Sequence, residues 1–232
     1  MRRKVVLKVH RFHQHSNGTC AVAACSSFAN FYDSTIKYKE VCKLLDIEKI
    51  SKEGMTTPEE GLLLNQLGLN KISIVSADPD YFDFSWIYRS NKLKIERLKK
   101  VRAHHRQVNN HELADVADLY IAFLKNPECE NNIIIDWDFS KWIRSAIRRG
   151  HPVVASINYT SYYKMKKEHN ENSDDIKGTP VEHAFVIRGF DDRFIYIVDS
   201  LGKITETYNG YYKIKWEHFL CNFGTGDLFF VE

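Results

Sequence analysis

Near its N-terminus the chain reads Gln14-His15-Ser16-Asn17-Gly18-Thr19-Cys20, followed directly by Ala21-Val22-Ala23-Ala24-Cys25. The first part is polar and contains a glycine, as loops often do, and the second is a short apolar run. We therefore predict a loop that ends at Thr19, as an N-cap, and a helix that begins at Cys20 and continues to about Tyr32. A thiol at a helix N-terminus lies at the positive end of the helix dipole, which lowers its pKa and favours the reactive thiolate.

The start of a helix is also a common place for a cysteine that serves only as a small core residue. The predicted helix carries apolar residues along one stripe, at Ala21, Ala24, Phe28 and Phe31, so we expect this face to be buried. The position of Cys20 alone therefore fits a core residue as well as a nucleophile. Gln14, upstream of it, has a side-chain N–H that can stabilise an oxyanion.

Two further candidate residues lie near the C-terminus, in a predicted hairpin. Residues 182–190 and 194–199 are both strand-like, and Asp191-Asp192-Arg193 between them is typical of a turn. A hairpin closed by these three residues is expected to place His183 directly across from Asp199. A histidine beside a carboxylate is also a common satisfied pair in a core, and a register slip of one residue would separate the two side chains.

Taken together, these residues supply the groups that cysteine-dependent acyl transfer requires. In this interpretation Cys20 is the nucleophile and His183 accepts its proton. Asp199 fixes the tautomer of the imidazole, and Gln14 with the Cys20 backbone amide holds the oxyanion. This chemistry requires no cofactor and no metal.

In their order along the chain these motifs resemble the papain-like cysteine peptidase superfamily. Gln14 precedes Cys20 by six residues, His183 opens one strand and Asp199 ends the next. The resemblance is greatest to the branch of bacteriocin-processing, double-glycine-leader cysteine peptidases and their stand-alone relatives. It covers nearly the whole chain except residues 77–132 and includes further matching segments, at Gly54–Pro58, Arg149–Val154 and His183–Asp192.

The resemblance implies an α+β fold of the papain-like kind. An N-terminal helical half, with the nucleophile at a helix start, would pack on a C-terminal antiparallel sheet. The implied activity is hydrolysis of a peptide or isopeptide bond in a peptide or protein substrate. An acyltransferase that uses the same thioester and a binding module that keeps the fold without catalysis are the alternatives. Ala21 departs from the family pattern, which has glycine after the nucleophile, but the Cys20 amide can still serve the oxyanion.

The length of 232 residues and the absence of a Gly/Ser-rich or Pro-rich linker predict a single domain over residues 1–232, with a helical insertion at about 77–132. Upstream of the insertion, Thr57 and Glu60 form a predicted capping box at a helix start. Within the insertion, basic residues dominate from Lys92 to Arg106 and apolar ones recur at helical spacing. We interpret this segment as an amphipathic helix with a solvated basic face, in preference to a binding site for an acidic partner or a nucleic acid.

Composition argues against several other classes of protein. A formal net charge of +3 gives no general reason to expect nucleic-acid binding. No apolar run approaches the ~18 residues of a membrane span, and the N-terminus lacks a signal sequence. The five cysteines are odd in number and widely spaced, unlike a disulfide framework or a zinc knuckle. We therefore expect a cytoplasmic protein, or an effector secreted without a cleavable signal.

Some other polar residues are weaker candidates for the site. Asp191 and Asp192 could orient a histidine, but side chains in a turn point outward, and Asp199 fits the predicted pairing. His10, His13 and His15 alternate near Cys20, but no carboxylate or second cysteine has a matching spacing. We therefore predict that no metal is bound.

Overall fold

The computed structural model describes residues 4–169, 172–201, 209–223 and 227–232. The helices are α1 (Cys20–Tyr32), α2 (Tyr38–Cys42), α3 (Ile47–Glu53), α4 (Thr57–Gln66), α5 (Asn91–Gln107), α6 (His111–Lys125), α7 (Phe139–Arg148), α8 (Tyr159–Tyr162) and α9 (Trp216–Cys221), with short 3₁₀ helices at Asn17–Thr19 and Phe84–Trp86. The strands are β1 (Val5–Val6), β2 (Ile72–Ser76), β3 (Asn132–Ile135), β4 (Val153–Asn158), β5 (Glu168–His169), β6 (Asn172–Ser173), β7 (Glu182–Phe190), β8 (Phe194–Val198), β9 (Tyr211–Lys215) and β10 (Asp227–Val231).

One mixed sheet forms the centre of the fold. Its strands lie in the order β3-β2-β10-β4-β7-β8-β9, and β1 pairs with the end of β7. The neighbours are antiparallel except β2 and β3, which are parallel. β5 and β6 form a separate two-stranded hairpin. The predicted α+β fold of the papain-like kind, with an N-terminal helical half against a C-terminal sheet, is confirmed.

Both faces of the sheet are covered, because neighbouring residues of each central strand point to opposite sides. On one face, Val186 of β7 belongs to the core that includes α1. On the other face, Phe185 and Ile187 of the same strand pack in the cluster that contains residues of α7 and α9. The core therefore consists of two layers, with the sheet between them.

Helix α1 has the bounds predicted from the sequence but is buried on more than one stripe. Every residue from Ala21 to Asn30 is buried. Its side chains are mostly small, so the sheet approaches closely on one side while α2 and α4 cover others. A helix that is apolar nearly all round is typically a core helix, and α1 is the central helix of this fold.

The segment predicted as an insertion, residues 77–132, contains α5 and α6, which pack on each other. Leu98, Tyr120 and Phe123 from these helices are buried in the same core cluster as α1. Its assignment as an insertion in a single domain stays a prediction. Among residues 4–169, 172–201, 209–223 and 227–232, no helix is long and apolar enough to cross a membrane.

The basic face of α5 is only partly solvated, in contrast to the prediction. Lys94 is 4% exposed, and its ammonium group donates to the backbone carbonyl of Ile133 on the edge strand β3. Arg102 and Arg106 both form ion pairs with Asp118 of α6, at 2.5 and 2.9 Å. Several positive charges of this helix are therefore used within the chain, which weakens the case for an acidic partner here.

The β7–β8 hairpin forms as predicted, but its register differs. The ladder pairs Val186 with Val198, so continuing it places Phe185 opposite Asp199. The predicted direct pairing of His183 with Asp199 was therefore wrong by two residues. An offset of two leaves His183 on the same face, as a diagonal neighbour within reach of a long side chain.

Candidate active site

The loop before Cys20 is held rigidly by hydrogen bonds within the loop and to α3. The Thr19 hydroxyl donates to the Ser16 carbonyl at 3.0 Å and accepts from the Ser16 amide at 3.1 Å. The Ser16 hydroxyl lies 2.8 Å from the Ser51 hydroxyl of α3. Thr19 occupies the N-cap position, but its hydroxyl is used in the loop and does not cap α1. The loop therefore fixes where α1 begins, and with it the position of Cys20.

Cys20 is partly exposed and lies against His183. Burial acts to raise the pKa of the Cys20 thiol, but the hydrogen bond to His183, its positive charge and the backbone hydrogen bonds of Ala184 and Ala21 lower it below the usual value. A charged partner in direct contact stabilises the ionised thiol and so offsets the effect of burial on its pKa. The arrangement therefore favours a thiolate, the reactive form of cysteine.

His183 is 4% exposed, near the start of β7 and opposite Ile157 of β4. Burial lowers the pKa of its imidazole, but the charge of Asp199, the hydrogen bond to it and the contact with Cys20 raise the pKa to about 10. Its Nε2 lies 2.7 Å from Oδ1 of Asp199, which leaves Nδ1 for the thiol. The raised pKa of His183 favours an imidazolium, which is the partner that a thiolate at Cys20 requires.

Asp199 follows β8 and is completely buried. Besides His183, its Oδ1 accepts from the backbone N–H of Leu201 at 2.8 Å, and its Oδ2 accepts from the Tyr212 hydroxyl at 2.6 Å. Burial acts to raise the pKa of this carboxyl group, but the charge and hydrogen bond of His183 and the other two donors lower it. Asp199 is therefore a carboxylate, and its geometry fixes the ring of His183.

Gln14 lies between the loop and the end of β8. Its Oε1 accepts from the Ser200 hydroxyl at 2.8 Å, its Nε2 donates to the Ser16 carbonyl at 2.9 Å, and its backbone N–H donates to the Ser200 carbonyl at 3.3 Å. The side chain thus joins the loop before Cys20 to the residue after Asp199.

The N-terminal segment ahead of Gln14 connects the two halves of the site. The Arg11 Nε donates to the backbone carbonyl of Asp199 at 2.6 Å, and the Phe12 amide donates to the Ser27 hydroxyl of α1 at 3.1 Å. Gly210 allows this contact, because a Cβ there would lie 2.1 Å from Nε of Arg11. No sequence pattern indicated Arg11, because its role depends on contacts between distant segments.

Glu60 is a second residue that sequence reasoning missed. It is 7% exposed and accepts from the Cys25 thiol at 3.9 Å. Burial, followed by the nearby Cys20 and Asp227, raises the pKa of its carboxyl group well above the usual value. The capping box predicted for Thr57 and Glu60 is instead formed by the preceding residues, Thr56 and Glu59. The environment of Glu60 favours the neutral acid, which does not oppose a thiolate at Cys20.

The weaker candidates from the sequence lie away from this cluster or lack a suitable partner. Asp191 accepts hydrogen bonds from its own turn and from Tyr196, at the other end of the hairpin. The rings of His10 and His15 pack on Phe12 and Tyr38, respectively. In the part of the chain that the structure describes, no three His, Cys, Asp or Glu side chains are grouped so that they could hold a metal ion.

Comparison with known proteins identifies a family. The family model described as Peptidase C39-like matches residues 6–223, a range that includes both halves of the site. A solved structure of a proposed C39-like peptidase from Bacillus anthracis is 14% identical, with 99% of this chain and 98% of that chain covered and a TM-score of 0.46. No protein with a curated description matches this chain.

Proposed function

The chain belongs to the Peptidase C39-like family, and on that premise we propose that it is a cysteine peptidase that hydrolyses peptide or isopeptide bonds. The observation that carries the proposal is the hydrogen bond of His183 to the buried Asp199, on a histidine that also lowers the pKa of the Cys20 thiol. Nucleophile, base and orienting carboxylate in such an arrangement are the requirement for acyl transfer by a thiol. The family implies a peptide or protein as the substrate.

In the proposed reaction, the Cys20 thiolate attacks the carbonyl carbon of the scissile bond, and the carbonyl electrons move to the oxygen. The imidazolium of His183 then donates its proton to the leaving nitrogen as the carbon–nitrogen bond breaks, which leaves a thioester on Cys20. Water attacks the thioester while His183 accepts its proton, and cleavage of the carbon–sulfur bond restores the thiolate. Asp199 keeps the imidazole oriented and stabilises its positive charge throughout.

The oxyanion would be held by the backbone amide of Cys20, at the N-terminus of α1, and by the side-chain amide of Gln14. The proximity of Gln14 to the loop and to the end of β8 supports this role. The loss of one such donor costs roughly 10²–10³ in rate in enzymes of this mechanism. We expect Gln14→Ala to lower kcat by about this factor while Cys20 still reacts with small alkylating agents.

The proposed activity is tested with a complex mixture of peptides, whose new termini are identified by mass spectrometry. Wild-type protein should generate new termini, and Cys20→Ala should generate none although it folds. Cys221→Ala, at an exposed cysteine far along the chain, is the matched control and should remain active. Equal cleavage by the Cys20→Ala variant would refute the proposal. Products in which the acyl group is joined to an added amine would instead assign a transferase.

A further inference from the structure

The carboxylate of Asp199 accepts hydrogen bonds beyond those that the triad requires. Tyr212, the second residue of β9, donates its hydroxyl to Oδ2 of Asp199 at 2.6 Å. The other oxygen, Oδ1, is bound by His183 and Leu201. Since donors hold both oxygens, rotation of the carboxylate would break bonds on each side.

A second tyrosine extends this contact. Tyr163, directly after α8, has its hydroxyl 2.6 Å from that of Tyr212 and 3.4 Å from Oδ2 of Asp199. Because the Tyr212 proton is directed to the carboxylate, the Tyr212 oxygen accepts from Tyr163. Hydrogen bonds in series polarise one another, which strengthens the bond that reaches the charged end.

The surroundings keep both tyrosines as neutral donors. Burial and then the negative charge of Asp199 raise the pKa of Tyr212 and of Tyr163 above the usual value. Among the described residues, the other charged groups that contact Asp199 are His183 from β7 and Arg11, which donates to the backbone carbonyl of Asp199. No neighbour in this set removes the tyrosine protons in the neutral range.

From these contacts we propose that Tyr212, supported by Tyr163, is a positioning residue that acts through Asp199 on the reactivity of Cys20. The inference rests on the proposed function and adds a positioning residue to the proposed site. Tyr212 holds the carboxylate in the orientation that His183 needs and shares its negative charge. The hydroxyls of both tyrosines point to Asp199, so in this proposal they affect the reaction by way of His183 and Cys20.

Substitution of Tyr212 by Phe removes one oxygen and keeps the ring. Oδ2 of Asp199 then loses its shortest hydrogen bond, so the carboxylate of the variant is freer to turn and orients the imidazole less well. The pKa of His183 then falls and that of Cys20 rises. For a charge-assisted hydrogen bond we expect about a tenfold slower alkylation of Cys20 at pH 6, with the pH profile displaced upward.

The test is the rate of Cys20 alkylation by iodoacetamide as a function of pH, with labelled cysteines identified by mass spectrometry. Tyr196→Phe is the matched control. Tyr196 lies on β8, next to β9, and its hydroxyl donates to Asp191 at 2.7 Å in the turn of the hairpin, at the end away from Asp199. The control should lose similar stability and keep the wild-type profile. Tyr163→Phe should displace the profile in the same direction by a smaller amount.

A Tyr212→Phe profile identical to that of wild type would overturn the inference, whatever the change in melting temperature. If Tyr212→Phe does not fold, Tyr163→Phe decides, and an unchanged profile in that variant has the same meaning. The assay needs no substrate, so its failure is distinct from failure of the proposed function. A wild-type Cys20 that reacts no faster than Cys221 would refute the proposed function instead.

Discussion

At the scale of single residues, the site depends on how three neighbouring groups change one another's pKa. Burial alone would keep Cys20 a thiol, His183 a neutral imidazole and Asp199 a protonated acid. Together they reverse each tendency, because the pKa of Cys20 and of Asp199 is lowered and that of His183 is raised to about 10. Each charge in the cluster thus exists because its neighbour is charged.

The substitution Asp199→Asn tests this coupling. It removes the negative charge that raises the pKa of His183 and keeps a carbonyl acceptor, while burial still lowers that pKa, so the neutral imidazole is favoured. Without the imidazolium, Cys20 returns to a thiol. We expect peptide cleavage to fall by about 10² to 10⁴. Peptide cleavage at pH 7 that persists within about threefold of wild type would contradict the coupling.

The residues that position these groups were only partly predictable from the sequence. Three of them were visible because each lies at an element boundary with a residue type suited to catalysis: Cys20, His183 and Asp199. Gln14 was visible because it lies in the polar loop upstream of Cys20. The tyrosine at 212 lies in a strand whose pairing partner, β8, was predicted, but no local pattern indicates which face meets Asp199. A contact formed by distant segments leaves no periodic signal in one sequence.

At the scale of elements, the helix start is positioned by close packing of the loop on α3. A Cβ on Gly18 would lie 2.4 Å from the backbone carbonyl oxygen of Ile50, and backbone atoms cannot give way as a flexible side chain can. The hairpin also shows what patterns cannot predict. Both strands and the turn were recognised, yet the predicted register was wrong by two residues. Closure by a three-residue turn pairs residue 190 with 194, which by itself aligns Phe185, not His183, with Asp199. The bulge in β7 changes the pairing by only one residue, between Ile187 and Gly189.

The substitution Gly18→Ala is therefore expected to shift the loop and α1 apart from α3. Overpacking of this kind costs about 1–3 kcal/mol of unfolding free energy, and here it should also slow alkylation of Cys20. Leu98→Ala, on the buried face of α5, is the comparison. We expect it to lose about 2–5 kcal/mol of unfolding free energy and to leave the rate of Cys20 alkylation unchanged. Urea unfolding and iodoacetamide labelling measure the two effects. Equal loss of reactivity in both variants would mean that Gly18 has no special role.

At the scale of the whole molecule, chain ends that are far apart in sequence meet in one sheet. β10, at the C-terminus, lies between β2 of the helical half and β4, and Phe229 and Phe230 of this strand enter opposite core layers. The fold class followed from the resemblance of the motifs to the papain-like superfamily. The parallel pairing of β3 with β2 did not, since it depends on the path of residues 77–132.

A shared sheet predicts cooperative unfolding. We expect loss of Cys20 reactivity and loss of far-ultraviolet circular dichroism to occur over the same range of urea, because no strand of the central sheet can separate without exposing both core layers. The two transitions are measured on the same samples at equilibrium. A loss of Cys20 reactivity well before the loss of secondary structure would indicate that the site is an independent, weaker unit.

The pH dependence of Cys20 alkylation in the wild-type protein tests the central claim most directly. A thiol with a lowered pKa beside an imidazolium whose pKa is raised to about 10 reacts as a thiolate throughout the neutral range. The account predicts that at pH 6 Cys20 is labelled much faster than the exposed Cys221 of the same molecule. Rates for Cys20 and Cys221 that rise together with pH would contradict it.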